Sequence, residues 1–193
     1  KKSALSFFKI DIGIDTGNLI FLREFDIPPG SYVKDVYDTI SRELGYGFHE
    51  IYKAIIKNQT LNLTKQSEEN VTVRGKRTPS DGFINFNNSI FENERLIRAV
   101  SEPYPGAYCY YKNEKITFWR VEFDIEKTHS GTIGQILKKR KEGILVQFLD
   151  GNLWLNKPTD SKGNNLDSKF FKLGDKLGFN IEDELYNLKQ KLG

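Results

Sequence analysis

The chain has 193 residues, of which 38% are hydrophobic and 13% aromatic, enough to bury the core of one ordinary domain or two small ones. Its 29 basic and 26 acidic side chains leave a net charge of +3, too weak for the clustered basic face of a nucleic-acid-binding protein. A single Cys109 excludes a disulfide framework, and no apolar run approaches the roughly 20 residues of a membrane span, so the expectation is a soluble cytoplasmic protein without a membrane partner.

Residues 3–11 read as a strand that enters a tight turn, Gly13-Ile14-Asp15-Thr16-Gly17. Residues 18–27 give a second strand, ended by Pro28, Pro29 and Gly30. Ser31 is a suitable N-cap for a long amphipathic helix, in which Val33, Val36, Tyr37, Ile40, Leu44, Phe48, Ile51, Tyr52, Ile55 and Ile56 recur at spacings of three and four. The polar stretch 61–73 follows as a linker. Asn88 or Ser89 then caps a shorter helix, which Pro103 and Pro105 bring to an end.

Beyond it the pattern changes to five short strands, Ala107–Tyr111, 115–123, 131–137, 143–148 and 152–156. That spacing predicts a small antiparallel barrel, so residues 74–178 read as helix plus barrel and 179–193 as a terminal helix. Only residues 74–157 lean basic, with 14 basic against 10 acidic side chains, a balance of +4.

The candidate chemical groups are few. His49 on the long helix and His129 in a loop read as surface or structural residues. Lys138-Lys139-Arg140-Lys141 reads as a solvated hairpin loop, with phosphate contact as the alternative. Arg77 and Asp81 read as a structural pair, Trp119 as core or interface, and Cys109 as an inert core thiol. No spacing of Cys and His suggests a metal.

Three ordered blocks carry a family resemblance. They are KKSALSFFKIDIGIDTGNLIFLREFDIP at 1–28, KRTPSDGFINFNNSIFENERLIRAVSEPYPGAYCYYKNEKITFWRV at 76–121, and FKLGDKLG at 171–178. The chain resembles the folate-dependent formyltransferases, and within them the sugar N-formyltransferases more than methionyl-tRNA formyltransferase. The resemblance implies an α/β protein: residues 1–60 as the C-terminal part of a Rossmann-like formyltransferase domain, followed by an OB-like β-barrel domain.

It also implies transfer of a formyl group from 10-formyltetrahydrofolate, as co-substrate, to the amine of a nucleotide-linked amino sugar of the kind used in lipopolysaccharide biosynthesis. Methionyl-tRNA formyltransferase is the alternative, as is a non-catalytic binding or assembly module. A homodimer is a further expectation, and no metal is implied. In that family an Asn-x-His pair stabilises the oxyanion of acyl transfer while an Asp keeps the imidazole charged and helps take up the amine's proton.

Aligned on the Gly-x-Asp-Thr-Gly loop, Asp15 would be the catalytic Asp. Asp11, Ile12, Gly13, Ile14 and Asp15 would line the pterin pocket, with Gly13 and Gly17 making the sharp turn. The bland alternative is an Asx-type turn between two strands. Neither histidine follows an Asn-x-His pattern, which places the catalytic Asn and His upstream of Lys1. The absence of any Met points the same way, to a chain that begins partway through a longer protein or has lost its methionines.

Overall fold

A computed structural model describes residues 1–67, 69, 71–178 and 181–192. Glu68 and Asn70 of the expected linker, and Phe179, Asn180 and Gly193 of the expected terminal segment, lie outside the described residues. The chain divides into two units, Lys1–Lys76 and Arg77–Gly193.

In the first unit β1 (Lys2–Phe8) and β2 (Leu19–Asp26) pair antiparallel, from Lys2 opposite Asp26 to Phe7 opposite Phe21, with an irregularity at Phe8. Helix α1 (Val33–Ile56) packs on this hairpin. It starts one residue later than a Ser31 cap implies. The Tyr32 N–H donates to Asp35 Oδ2 (2.8 Å), while the Ser31 hydroxyl donates to the Pro28 carbonyl (2.8 Å) and holds the preceding turn.

Gly47 is where the helix comes closest to the strands. A Cβ there would meet the Phe7 ring at 2.6 Å and the Phe21 ring at 2.9 Å. Around this contact Phe7 and Phe21 meet edge to face at 6.0 Å, and the Arg23 guanidinium pairs with Glu43 (2.8 Å) and lies over the Tyr46 ring. Among the described residues of this unit only Gly17 and Gly47 are fully buried, and no parallel βαβ element is present.

The second unit holds the hydrophobic core. Its helix α2 (Ile90–Ala99) is started by a capping box, in which Ser89 Oγ accepts from the Glu92 N–H (3.2 Å) and Glu92 Oε2 accepts from the Ser89 N–H (3.0 Å). Five strands follow, β3 (Ala107–Tyr111), β4 (Glu114–Phe123), β5 (Ile136–Arg140), β6 (Gly143–Gln147) and β7 (Asn152–Thr159). They form one antiparallel sheet in the order β3-β4-β7-β6-β5.

The β3–β4 hairpin turns on Lys112 and Asn113, both with left-handed backbone (φ 48° and 67°), as a two-residue primed turn requires. Alternating inward residues of the sheet, among them Ile116, Phe118, Ile144, Val146, Leu153 and Leu155, pack with Ile97 of α2 and Phe171 in a core with essentially no solvent exposure. Helix α3 (Ile181–Leu192) ends the described chain.

Two expectations are corrected. The strand expected over 131–137 instead begins at Ile136 and takes in Lys138, Lys139 and Arg140. Residues 131–135 form a turn, in which Gln147 Oε1 accepts from the Gly131 N–H and Gln135 Oε1 from the Thr132 N–H. The five expected strands form one antiparallel sheet, but among the described residues no ladder joins β3 to β5, so strand pairing does not close it into the expected OB-like barrel.

Residues 174–178 occupy the place where closure would occur. Asp175 and Ile136 exchange contacts along the β5 edge, with the Ile136 N–H donating to Asp175 O (2.9 Å) and the Gly174 N–H to Ile136 O (2.9 Å). At the other end the Gly178 N–H donates to Tyr110 O on β3 (2.8 Å). This segment thus takes up backbone groups on both sheet edges, and on β3 the Ile84 N–H also donates to Tyr108 O (2.8 Å).

Candidate functional site

All five residues implicated by sequence lie in one loop, between β1 and β2. Its base is closed by a hydrogen bond from the Lys9 N–H to Asn18 O (2.9 Å). Gly17 is buried directly against Lys9, where any Cβ would sit 1.6 Å from the Lys9 carbonyl oxygen, so only glycine fits. Within the loop, Asp11 Oδ1 accepts from the Gly13 N–H (3.0 Å) and the Thr16 hydroxyl (2.6 Å). The Asx-type turn foreseen for Asp15 is therefore headed by Asp11, whose carboxylate serves to shape the loop.

The sharp reversal comes at Asp15 itself, with φ 57°, rather than at either glycine. Its side chain is exposed and has no side-chain partner among the described residues, so the loop presents a free carboxylate. Beside it the side chains of Ile10, Ile12 and Ile14 stand outward, 86%, 107% and 91% exposed. Three exposed apolar side chains in one short loop are unusual on a solvated turn.

A second segment fixes this geometry. Gln66 Nε2 donates to the carbonyls of Asp15 (2.8 Å) and Gly17 (2.7 Å), and Thr64 pairs with Leu19 through two backbone hydrogen bonds (2.8 and 2.9 Å). The stretch expected as linker thus buttresses the loop. Sequence reasoning missed Gln66, since one glutamine in a polar run carries no pattern.

The other candidates do not join this constellation. His49 is exposed on α1, and His129 has its ring Nδ1 engaged with the Thr128 hydroxyl (2.8 Å) and its carbonyl with Asn152 Nδ2 (2.8 Å). Arg77 and Asp81 form no ion pair; Asp81 instead accepts from the Thr78 N–H (2.6 Å). The Trp119 indole N–H donates to Thr159 Oγ1 (3.0 Å), and Cys109 is fully buried, which pushes its thiol far up from the usual range.

Three residues of the basic run expected as a solvated loop, Lys138, Lys139 and Arg140, are built into β5, and two of them face carboxylates there. Lys138 pairs with Glu126 (3.2 Å), Lys139 donates to Phe171 O (2.9 Å), and Arg140 pairs with Glu122 (2.7 Å) and lies over Trp154 at 4.4 Å. Among the described residues no group of three or more potential metal ligands occurs, and no helix is long and apolar enough to cross a membrane.

Residues 76–175, from the start of the second unit to the edge-sealing segment, match the formyl transferase C-terminal domain. The chain belongs to this formyltransferase family. It is 28% identical over 151 residues to methionyl-tRNA formyltransferase of Rickettsia bellii, a match covering 76% of this chain and 48% of the relative. The chain spans about half the length of the curated relatives it matches.

Among solved structures, HypX from Aquifex aeolicus aligns with a TM-score of 0.69 over 93% of this chain and 35% of its own, at 14% identity. WlaRD, a sugar 3N-formyl transferase crystallised with dTDP and 5-N-formyl-THF, aligns with a TM-score of 0.59 over 80% of this chain and 54% of its own, at 21% identity. At such identities the likeness is one of fold. As a formyltransferase-family chain, it carries its family domain in the cored second unit and its Gly-x-Asp-Thr-Gly loop in the first.

Proposed function

We propose that the protein transfers a formyl group from 10-formyltetrahydrofolate to a primary amine, with Asp15 acting in the reaction. The observation that carries this reading is the loop at Asp15: a free carboxylate on left-handed backbone, its carbonyl held by Gln66, in a loop that also exposes three isoleucines. Ile12 and Ile14 would give the pterin an apolar wall, and the loop's backbone groups would meet its polar edge. Such fixed geometry suits acyl transfer, where a positioned carboxylate holds an imidazole charged while the attacking amine loses its proton.

The imidazole and carboxamide of that reaction would come from outside this chain. Relatives about twice its length, and a helix α1 whose Phe48, Tyr52, Ile55 and Ile56 stay 52–63% exposed, support a place for the first unit within a larger Rossmann-like catalytic domain.

The acceptor we favour is a nucleotide-linked amino sugar. In support, three of the four cations in the basic run are engaged by neighbouring carboxylates or a carbonyl, leaving little there for a tRNA backbone. Charged initiator tRNA is the second reading, favoured by the 28% identity to a methionyl-tRNA formyltransferase.

The full-length gene product, supplied with 10-formyltetrahydrofolate, is assayed against dTDP-linked 3- and 4-amino sugars and against methionyl-tRNA. Turnover of an amino sugar, with salt-insensitive KM, supports the first acceptor. Turnover of methionyl-tRNA alone would replace it with the second, and transfer to neither would leave a binding or assembly role.

A further inference from the structure

The second unit contains a cavity of about 680 Å³ where the start of α2, the end of β4 and the β6–β7 turn come together. Two of its lining side chains are buried beyond nine-tenths and poorly satisfied. Asp124 is 7% exposed and takes part in no ion pair; its one side-chain contact is a long hydrogen bond from Asn152 Nδ2 (3.3 Å). Asn152 is 8% exposed, and its Oδ1 is buried without any hydrogen-bond partner among the described residues.

The amide cannot correct this by turning over. Its nitrogen already faces two oxygens, Asp124 Oδ2 and His129 O (2.8 Å), and a flip would set oxygen against both. The Asp124 carboxylate, buried with a single long hydrogen bond and no counter-charge, carries a desolvation cost that an incoming cationic donor would relieve.

The remaining lining sets the kind of donor. Phe91 and Phe123 stand at the rim, 56% and 38% exposed, with ring centroids 5.3 Å apart. Asp150 is already engaged by the Ile90 N–H (2.8 Å), which also caps the positive end of α2. Lys127 lines the cavity as well, with an exposed side chain that makes no ion pair with Asp124.

We propose that this cavity binds a guanidinium group. A guanidinium is planar, carries several N–H donors in a fixed fork, and stacks on aromatic faces. It can donate to the Asp124 carboxylate while its plane rests on the phenyl rings. A primary ammonium offers the charge without the plane, and a urea offers the plane without the charge.

The test is an NMR titration of the isotope-labelled 193-residue chain, read at the backbone amides of residues 124–130 and at the Asn152 side-chain amide. The probes are N-acetyl-arginine methylamide, methylguanidine, and the citrulline counterpart of the first. The two guanidinium probes are expected to shift these signals, and citrulline to bind at least about tenfold more weakly. Arginine-derivative binding well above that of methylguanidine would indicate an arginine side chain of a peptide as the source; equal binding would indicate a small guanidino compound.

Asp124→Asn is expected to remove most of the affinity. Should that variant fail to fold, Phe91→Leu alters only an exposed ring and is expected to weaken binding several-fold. Equal binding of the citrulline probe, or no shift at these residues with either guanidinium, overturns the proposal.

Discussion

Asp15 combines two properties that a mutation can separate. Its left-handed backbone belongs to the loop, and asparagine tolerates that conformation as well as aspartate does. Asp15→Asn in the full-length protein is therefore expected to cut formyl transfer by about a hundredfold or more while leaving the thermal midpoint unchanged. Near-normal turnover in the variant would remove Asp15 from the reaction.

Asp175 offers a test in the other unit. The Tyr111 hydroxyl donates to it (2.8 Å) and Lys112 lies at 3.2 Å; the first and larger of these holds its carboxyl below its ordinary value of 3.8. A carboxyl depressed in the folded state stabilises above its unfolded value and loses that contribution as pH falls through the folded one. Tyr111→Phe should accordingly cost about 1 kcal/mol at pH 7, and urea midpoints should show the gap from wild type narrowing below pH 4.

At this scale the sequence was informative where a motif concentrates function and silent where a contact is long-range. Asp15 stands out by its flanking residues. Gln66 and Tyr111 do not, because their partners, at Asp15, Gly17 and Asp175, are about fifty residues or more away.

The elements obey local rules at their ends. The capping box at Ser89 satisfies the first turn of α2, so Ser89→Ala should cost about 1 kcal/mol of unfolding free energy, measured by denaturant titration. Helix spacing and proline stops were legible because each follows from neighbours within four residues. β5 was misplaced for the opposite reason. Its lysines and arginine look like a solvated loop until Phe171, Glu122 and Trp154 supply partners from elsewhere in the chain.

For the whole molecule, the two units differ in how much they bury. Among the described residues, every buried hydrophobic residue of the core falls in the stretch from Ile84 to Leu177. A fragment spanning residues 77–193 is expected to unfold in one cooperative calorimetric transition, and a fragment of residues 1–76 to show none. A cooperative transition in the short fragment would mean that its hairpin and helix suffice alone.

The spacing of five strands announced an antiparallel sheet, but not whether it closes. Closure depends on what reaches the sheet edges, and here that is a segment with no strand signature of its own. Because residues 174–178 come after all five strands in the chain, a ribosome extends β3 to β7 while the β5 edge is still bare, although Phe83 and Ile84, made earlier, already pair with Tyr108 on the β3 edge. A nascent product halted before that point exposes the unpaired β5 edge to its neighbours in the polysome, so the interval between β7 and Gly174 is when this chain is most open to edge-to-edge association.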